Sequence, residues 1–207
     1  MPPDTTVYLL RHGDSSRDMV HRYIGQSDEP LNVNGRMQAM AWQHTFRDLP
    51  LHRILCSDLI RSIETARIIA DGRSELVQPL AGLREIDLGA WDGLAVDEVR
   101  RRYPDEYRKR GEEPAVYRTP DGESFADLAD RVIPLFEKIV HSMSGNVLIV
   151  GHAGVNRIIL CHILGLSLTR LFRVGQDYGC LNVLQYSAGS WTVRRVNIPA
   201  EIQNVIQ

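Results

Sequence analysis

The sequence predicts an α/β fold, a three-layer sandwich in which helices flank a mostly parallel β-sheet. Short runs rich in Val, Ile and Leu, typical of buried strands, alternate with longer runs of helical periodicity. Because parallel strands need crossover connections, this alternation favours a parallel sheet that is covered on both faces. The predicted strands span residues 7–10, 53–56, 76–78 and 147–150.

Capping residues support the helices. Asn32 is placed to cap the first helix. Ser124 and Asp127 resemble a capping box at the start of the third, with Asp in place of the longer Glu or Gln. Pro134 lies inside that third helix and predicts a kink or a late start. The predicted helices span residues 33–47, 60–70, 125–141 and 155–164.

Two further segments complete the predicted architecture. The β-rich runs 181–186 and 191–196 flank the turn 187–190 and predict a C-terminal hairpin at or near a sheet edge. Residues 97–121 mix basic and acidic side chains with three prolines, which indicates a solvated helical excursion or a cap whose arginines help select an anionic substrate. We expect one domain over residues 1–207, with 97–121 as a cap excursion within it.

Composition excludes several classes of protein. Of 207 residues, 43% are hydrophobic and 24% charged, an ordinary globular balance. The formal charge of −2 provides no basic surface for nucleic acid or for an anionic membrane. Three cysteines without CxxC spacing, and a start unlike a signal peptide, favour a reducing compartment, so we expect a cytoplasmic protein. A homo-oligomer stays open, since the exposed face of the hairpin could pair with a partner.

The chemistry is concentrated where the predicted strands end. Arg11 and His12 follow the first strand, at the edge of a parallel sheet where ligands collect. A neutral imidazole can attack phosphorus, while a planar guanidinium can hold two phosphate oxygens at once. Arg61, Glu85 and His152 follow the other three strands. Asp87 is a rival to Glu85 as the acid.

These segments resemble the histidine phosphatase superfamily, also called phosphoglycerate-mutase-like. The resemblance implies a phosphohistidine on His12 and Glu85 as proton donor and acceptor, with no metal or cofactor. It also implies a phosphate pocket formed by Arg11, Arg61 and His152. The matching segments, in family order, are Leu10-Arg11-His12-Gly13, Pro30-Leu31 with Gly35 and Gln38-Ala39, residues 57–66, Arg84-Glu85 with Gly89 and the loop around 91–93, Gly122-Glu123-Ser124, and Gly151-His152-Ala153-Gly154.

The sequence departs from the family pattern at two positions. Asp18 stands where the family commonly has an Asn whose amide donates to phosphate, and Ile24 replaces the usual Gln. An ionised Asp18 would repel a phosphate dianion, so it points away, pairs with a neighbouring base or shapes the substrate. We expect Asp18, Ile24, Gly25 and Ala153 to contact the substrate.

The sequence therefore predicts a metal-independent phosphomonoesterase that acts on a small phosphorylated metabolite. The chain looks similar to the α-ribazole-phosphatase-like branch, and phosphoserine phosphatases of the same superfamily have a similar loop around Glu85. Two other functions stay open: a mutase that keeps its phosphohistidine away from water, and a catalytically silent phosphate-binding module. The presence of both His12 and Glu85 argues against the silent module.

Overall fold

The computed structural model describes residues 4–200 and places a six-stranded sheet between two layers of helices. The strand order is β3-β2-β4-β1-β5-β6. Strands β3, β2, β4 and β1 are parallel to one another, β5 is antiparallel to β1, and β6 is antiparallel to β5. The predicted α/β fold, its flanked and mostly parallel sheet, and its C-terminal hairpin are confirmed. The strands are β1 (Thr5–Arg11), β2 (Leu51–Cys56), β3 (Val77–Pro79), β4 (Gly145–Gly151), β5 (Leu181–Ser187) and β6 (Ser190–Ile198).

Alternating side chains of β1 divide the core into two halves. Val7 and Leu9 pack on one face, and Tyr8 and Leu10 pack on the other. Helices α5 and α6 cover the first face, and α1 and α2 cover the second. The helices are α1 (Val33–Phe46), α2 (Ile60–Ala70), α3 (Val96–Arg102), α4 (Pro104–Glu112), α5 (Phe125–Ser142) and α6 (Ala153–Leu164).

Two predicted caps are present. The Asn32 side chain accepts from the backbone N–H of Gly35 at 2.9 Å, and Ser124 and Asp127 form a complete capping box at the start of α5. The predicted late start at Pro134 is wrong, because this capping box fixes the start of α5 at Phe125. Pro134 is exposed within the continuous helix, and the carbonyl it deprives of a donor belongs to the exposed Asp130.

The segment 97–121 contains most of α3 and all of α4, and α4 buries none of its side chains fully. Several of its arginines pair with acidic residues on the same helix, as Arg102 does with Glu98 and Arg108 with Glu112. No helix in the described part of the chain is long and apolar enough to cross a bilayer.

Candidate active site

Strand register brings the two predicted site histidines together. Arg11 at the end of β1 pairs with Gly151 at the end of β4, and His12 N donates to the Gly151 carbonyl at 3.0 Å. His12 follows β1 and His152 follows β4, so the two residues lie side by side at the same edge of the sheet. Their ring centroids lie 5.0 Å apart, and both side chains are buried.

Hydrogen bonds select one tautomer of His12. Its Nδ1 lies 2.7 Å from the carbonyl oxygen of Gly13, and a carbonyl can only accept, so Nδ1 carries the proton. Nε2 then bears the lone pair of the neutral ring, and Arg61 Nε donates towards it at 3.3 Å. Nε2 is thus the nitrogen available for attack on a phosphorus atom.

Arg61 is 1% exposed in the first turn of α2. Its terminal nitrogens donate to the carbonyl oxygens of Ser27 at 2.7 Å and Gly25 at 2.6 Å. The Asp92 carboxylate accepts from the backbone N–H groups of three consecutive residues of this loop, at 2.8 to 2.9 Å. Asp92 therefore fixes the loop that orients Arg61; the three residues are Gly25, Gln26 and Ser27.

We expect Asp92→Asn to lower kcat/KM roughly 10- to 100-fold, because small displacements of a positioning group have effects of this size. The Asn amide offers one acceptor atom where the loop presents three donors, so Arg61 loses its fixed orientation. Weaker inhibition by vanadate, with a largely preserved thermal midpoint, would separate positioning from general destabilisation. Asp97→Asn, on the exposed surface of α3, is the matched control. Unchanged vanadate inhibition in Asp92→Asn would contradict the role.

Arg11 is also held by a backbone carbonyl. Its Nη1 donates to the Gln176 carbonyl at 2.6 Å, and its guanidinium carbon lies 3.7 Å from the centre of the Tyr178 ring. Its buried Nε has no hydrogen-bond partner within residues 4–200. The same holds for both ring nitrogens of His152. These groups are free to bind a phosphate oxygen.

Glu85 is buried beside the histidines. Its carboxylate accepts from the backbone N–H of Ile86 and of Gly154, both at 2.9 Å. A Cβ on Gly154 would collide with this carboxylate, so the close approach requires glycine. Arg131 on α5 supports the loop by donating to the carbonyl of Glu85 at 2.9 Å. The carboxylate of Asp87, the other candidate for the acid, accepts from the backbone N–H of Gly89 at 2.9 Å within its own loop.

Burial and charge keep both histidines neutral. Burial lowers the pKa of His12 well below its usual value, and Arg61 and Arg11 lower it further. The pKa of His152 is lowered by burial and then by Arg61, His12 and Arg11. A phosphate dianion between these groups would offset the positive charge of Arg11 and Arg61, which favours protonation of His152 when phosphate is bound.

These lowered pKa values predict a pH-dependent stability. Unfolded histidines take up protons near pH 6.5, whereas His12 and His152 stay neutral in the fold, so stability falls as pH decreases below about 6.5. Each histidine lowers the free energy of unfolding by at most about 1.4 kcal/mol for each pH unit below about 6.5. Above that pH neither histidine changes the stability. Urea titrations between about pH 6.5 and 5.5 should show a smaller slope for His152→Gln than for the wild type. Exposed His44→Gln is the control; an identical slope in His152→Gln would refute the assignment.

The site opens into a cavity of about 680 Å³. Asp18, Ile24 and Ala153 line it, whereas Gly25 is buried behind it with its carbonyl on Arg61. Asp18 is exposed at the rim and accepts from Arg22 at 3.0 Å, and this hydrogen bond lowers its pKa. Of the three arrangements open to Asp18, the structure shows pairing with a neighbouring base. No cluster of three or more metal-binding side chains occurs within residues 4–200.

Comparison with known proteins agrees with this geometry. The profile of the histidine phosphatase superfamily (branch 1) matches residues 7–199. The chain belongs to this superfamily. Phosphoserine phosphatase 1 of Hydrogenobacter thermophilus is 30% identical over 95% of the chain and 93% of its own length. Adenosylcobalamin/alpha-ribazole phosphatase of Salmonella typhimurium is 27% identical over 92% of the chain and 95% of its own length.

A solved structure gives the same picture. Bacillus stearothermophilus YhfR has a TM-score of 0.87 and 30% identity, and the match covers 94% of this chain and 97% of that one. The predicted resemblance to the histidine phosphatase superfamily is confirmed, and the chain is a phosphatase of that superfamily.

Sequence reasoning did not single out several residues of this histidine phosphatase site. Tyr178 is one, because it precedes β5 and reaches the site only through the pairing of β5 with β1, which places Leu181 opposite Leu10. Recognition that β5 runs antiparallel beside β1 would have placed the segment before β5 at the active edge. The others are Asp92, Arg131 and Gln176.

Proposed function

We propose that the protein hydrolyses a phosphomonoester without a metal, through a phosphohistidine formed on Nε2 of His12. The observation that supports this most is the tautomer of His12: Nδ1 is occupied by the Gly13 carbonyl, and Nε2 faces Arg61 with its lone pair. This arrangement presents a neutral nucleophile inside a cluster of phosphate-binding groups.

The reaction would have two steps. In the first, Nε2 of His12 forms a bond to phosphorus, the phosphorus–oxygen ester bond breaks, and Glu85 gives a proton to the leaving alkoxide. In the second, water attacks the phosphohistidine, the phosphorus–nitrogen bond breaks, and Glu85 takes the proton of that water. The products are an alcohol and inorganic phosphate. Each proton that leaves Glu85 returns to it, so the residue is restored after every turnover.

Three groups would stabilise the charge on the transferred phosphoryl group. The guanidiniums of Arg11 and Arg61 are both held by backbone carbonyls. His152 adds ring nitrogens that have no partner in the described residues. Donors that are already oriented lower the barrier without reorganisation during the reaction.

Hydrolysis is favoured over mutase chemistry by the access of water. Exposed residues 16–20 line the cavity, and the Met19 side chain among them is completely exposed. A mutase must protect its phosphohistidine from water, and this rim leaves the site accessible. The substrate would be a small phosphorylated metabolite, with α-ribazole phosphate and phosphoserine as candidates because similar proteins carry those names.

Hydrolysis of p-nitrophenyl phosphate in excess chelator tests the proposal. We expect sustained turnover, together with a base-stable, acid-labile phosphoenzyme when a radiolabelled ester is mixed with enzyme and quenched rapidly. A stable phosphohistidine without turnover would indicate a mutase instead. Phosphate binding with neither turnover nor phosphoenzyme would indicate a silent binding module.

A further inference from the structure

Two arginines outside the phosphate pocket converge on one aromatic ring of the cavity. Arg110 comes from α4 and Arg157 from α6, and both line the cavity. Their guanidinium carbons lie 6.0 Å and 5.5 Å from the centre of the Phe172 ring. Arg110 also lies 5.2 Å from the Tyr23 ring centre. Two cations from separate helices therefore share one wall of the cavity.

Neither arginine has an acidic partner within residues 4–200, where the salt bridges involve other arginines and two histidines. Arg157 is fixed by donation from Nε to the Val174 carbonyl at 2.9 Å. Helix α4 does contain carboxylates that can pair with arginines, because Arg108 pairs with Glu112 on the same helix as Arg110. Arg110 is directed away from them and into the cavity.

This arrangement is unfavourable without an anion. Burial is the main cause that lowers the pKa of both Arg110 and Arg157, so their charges are partly removed from water. Glu85 is a nearby carboxylate that counteracts this effect at both. However, both oxygens of Glu85 already accept from backbone N–H groups. A substrate bearing one phosphate, bound at His12, leaves the two guanidiniums without an anion to which they can donate hydrogen bonds.

We propose that Arg110 and Arg157, against Phe172, form a second anionic subsite that binds a carboxylate or a second phosphate on the leaving group of the substrate. The proposal rests on the proposed phosphatase function. Guanidinium groups bind the oxygens of either anion with paired, charge-assisted hydrogen bonds. The subsite favours a leaving group that bears a carboxylate, such as serine, over one that bears no anionic group, such as α-ribazole.

Matched pairs of substrates test the subsite and distinguish its two anions. O-phosphoserine against O-phosphoethanolamine, and 3-phosphoglycerate against glycerol 3-phosphate, differ by a carboxylate. Fructose 1,6-bisphosphate against fructose 6-phosphate differs by a phosphate. We expect kcat/KM to favour the acidic member of at least one class by roughly 10- to 100-fold, the effect of one or two charge-assisted hydrogen bonds.

The double variant Arg110→Gln/Arg157→Gln should bring this ratio close to one, and Arg101→Gln, an exposed arginine of α3, should leave it unchanged. Because the ratio is taken within one protein, a general loss of activity cancels. If the double variant does not fold, the ratio is measured in each single variant. If the single variants do not fold either, the ratios of the wild type decide whether the subsite exists.

Turnover of p-nitrophenyl phosphate in chelator separates the two proposals. If the wild type hydrolyses it but the acidic and neutral members of all three pairs react equally, the subsite is overturned and the phosphatase function stands. A preference that survives in the Arg110 and Arg157 variants also overturns it. If the wild type hydrolyses no phosphomonoester, the proposed function itself fails.

Discussion

Replacing His12 with Gln is expected to lower kcat at least about 10³-fold, because removal of a covalent nucleophile leaves only binding and electrostatic stabilisation. In the proposed mechanism, Nε2 of His12 is the protein atom that forms a bond to phosphorus. The variant should therefore form no phosphoenzyme when a radiolabelled ester is added, while vanadate still binds to Arg11 and Arg61. Rapid-quench labelling and steady-state kinetics on p-nitrophenyl phosphate measure both effects.

Two other histidines serve as comparisons. His44→Gln, on the exposed surface of α1, should retain full activity. His152→Gln should be slower but should still form the phosphohistidine, because in the proposed mechanism His152 would contact the phosphoryl group without bonding to phosphorus. Full turnover in His12→Gln, or labelling of His152 in place of His12, would contradict the mechanism.

Replacing Glu85 with Gln is expected to lower kcat/KM for alkyl phosphates by roughly 10²- to 10⁴-fold, the usual contribution of a general acid. The alkoxide of an alkyl phosphate leaves poorly without a proton. The loss should be much smaller for p-nitrophenyl phosphate, whose leaving group departs as an anion. With that substrate, a burst of one p-nitrophenolate per active site should precede slow hydrolysis of the phosphoenzyme, since Glu85 also activates water.

Controls separate proton transfer from structural damage. Gln at position 85 brings a donor against the N–H groups of Ile86 and Gly154, so thermal unfolding must be measured in parallel. Glu85→Asp keeps the carboxyl group and should retain more activity than Glu85→Gln, and the exposed Glu113→Gln should match the wild type. An equal loss on alkyl and p-nitrophenyl esters would exclude Glu85 as the acid.

Local patterns were sufficient to predict much of the fold. Strand runs, the Asn32 cap and the Ser124 capping box depend on neighbours in sequence, and the structure confirms them. The prediction of a late helix start at Pro134 was wrong because the free-energy cost of a proline inside a helix depends on whether the carbonyl that loses its donor can bind water. That property is set by tertiary packing and has no local signature.

The residues of the site also fall into two groups, those that the sequence could predict and those that depend on tertiary contacts. His12 and His152 were predictable because parallel strands end at one edge, and the register of β1 with β4 brings the two together. Asp92, Tyr178 and the pairing of Arg110 with Arg157 around Phe172 depend on contacts between distant segments. The sequence offered a cap over 97–121 whose arginines help select an anionic substrate, but it did not distinguish Arg110 from the other arginines of that segment, since an arginine in a charged helix is usually solvated.

Helix α4 contributes Arg110 and buries none of its side chains fully. Substitutions on such a helix cost little free energy of unfolding, because no packed interior is disturbed. His12 and His152, by contrast, directly follow the central strands β1 and β4. If Arg110 selects the leaving group as proposed, the preferred metabolite could be changed by substitutions on this peripheral helix while the histidines at the strand ends stay the same.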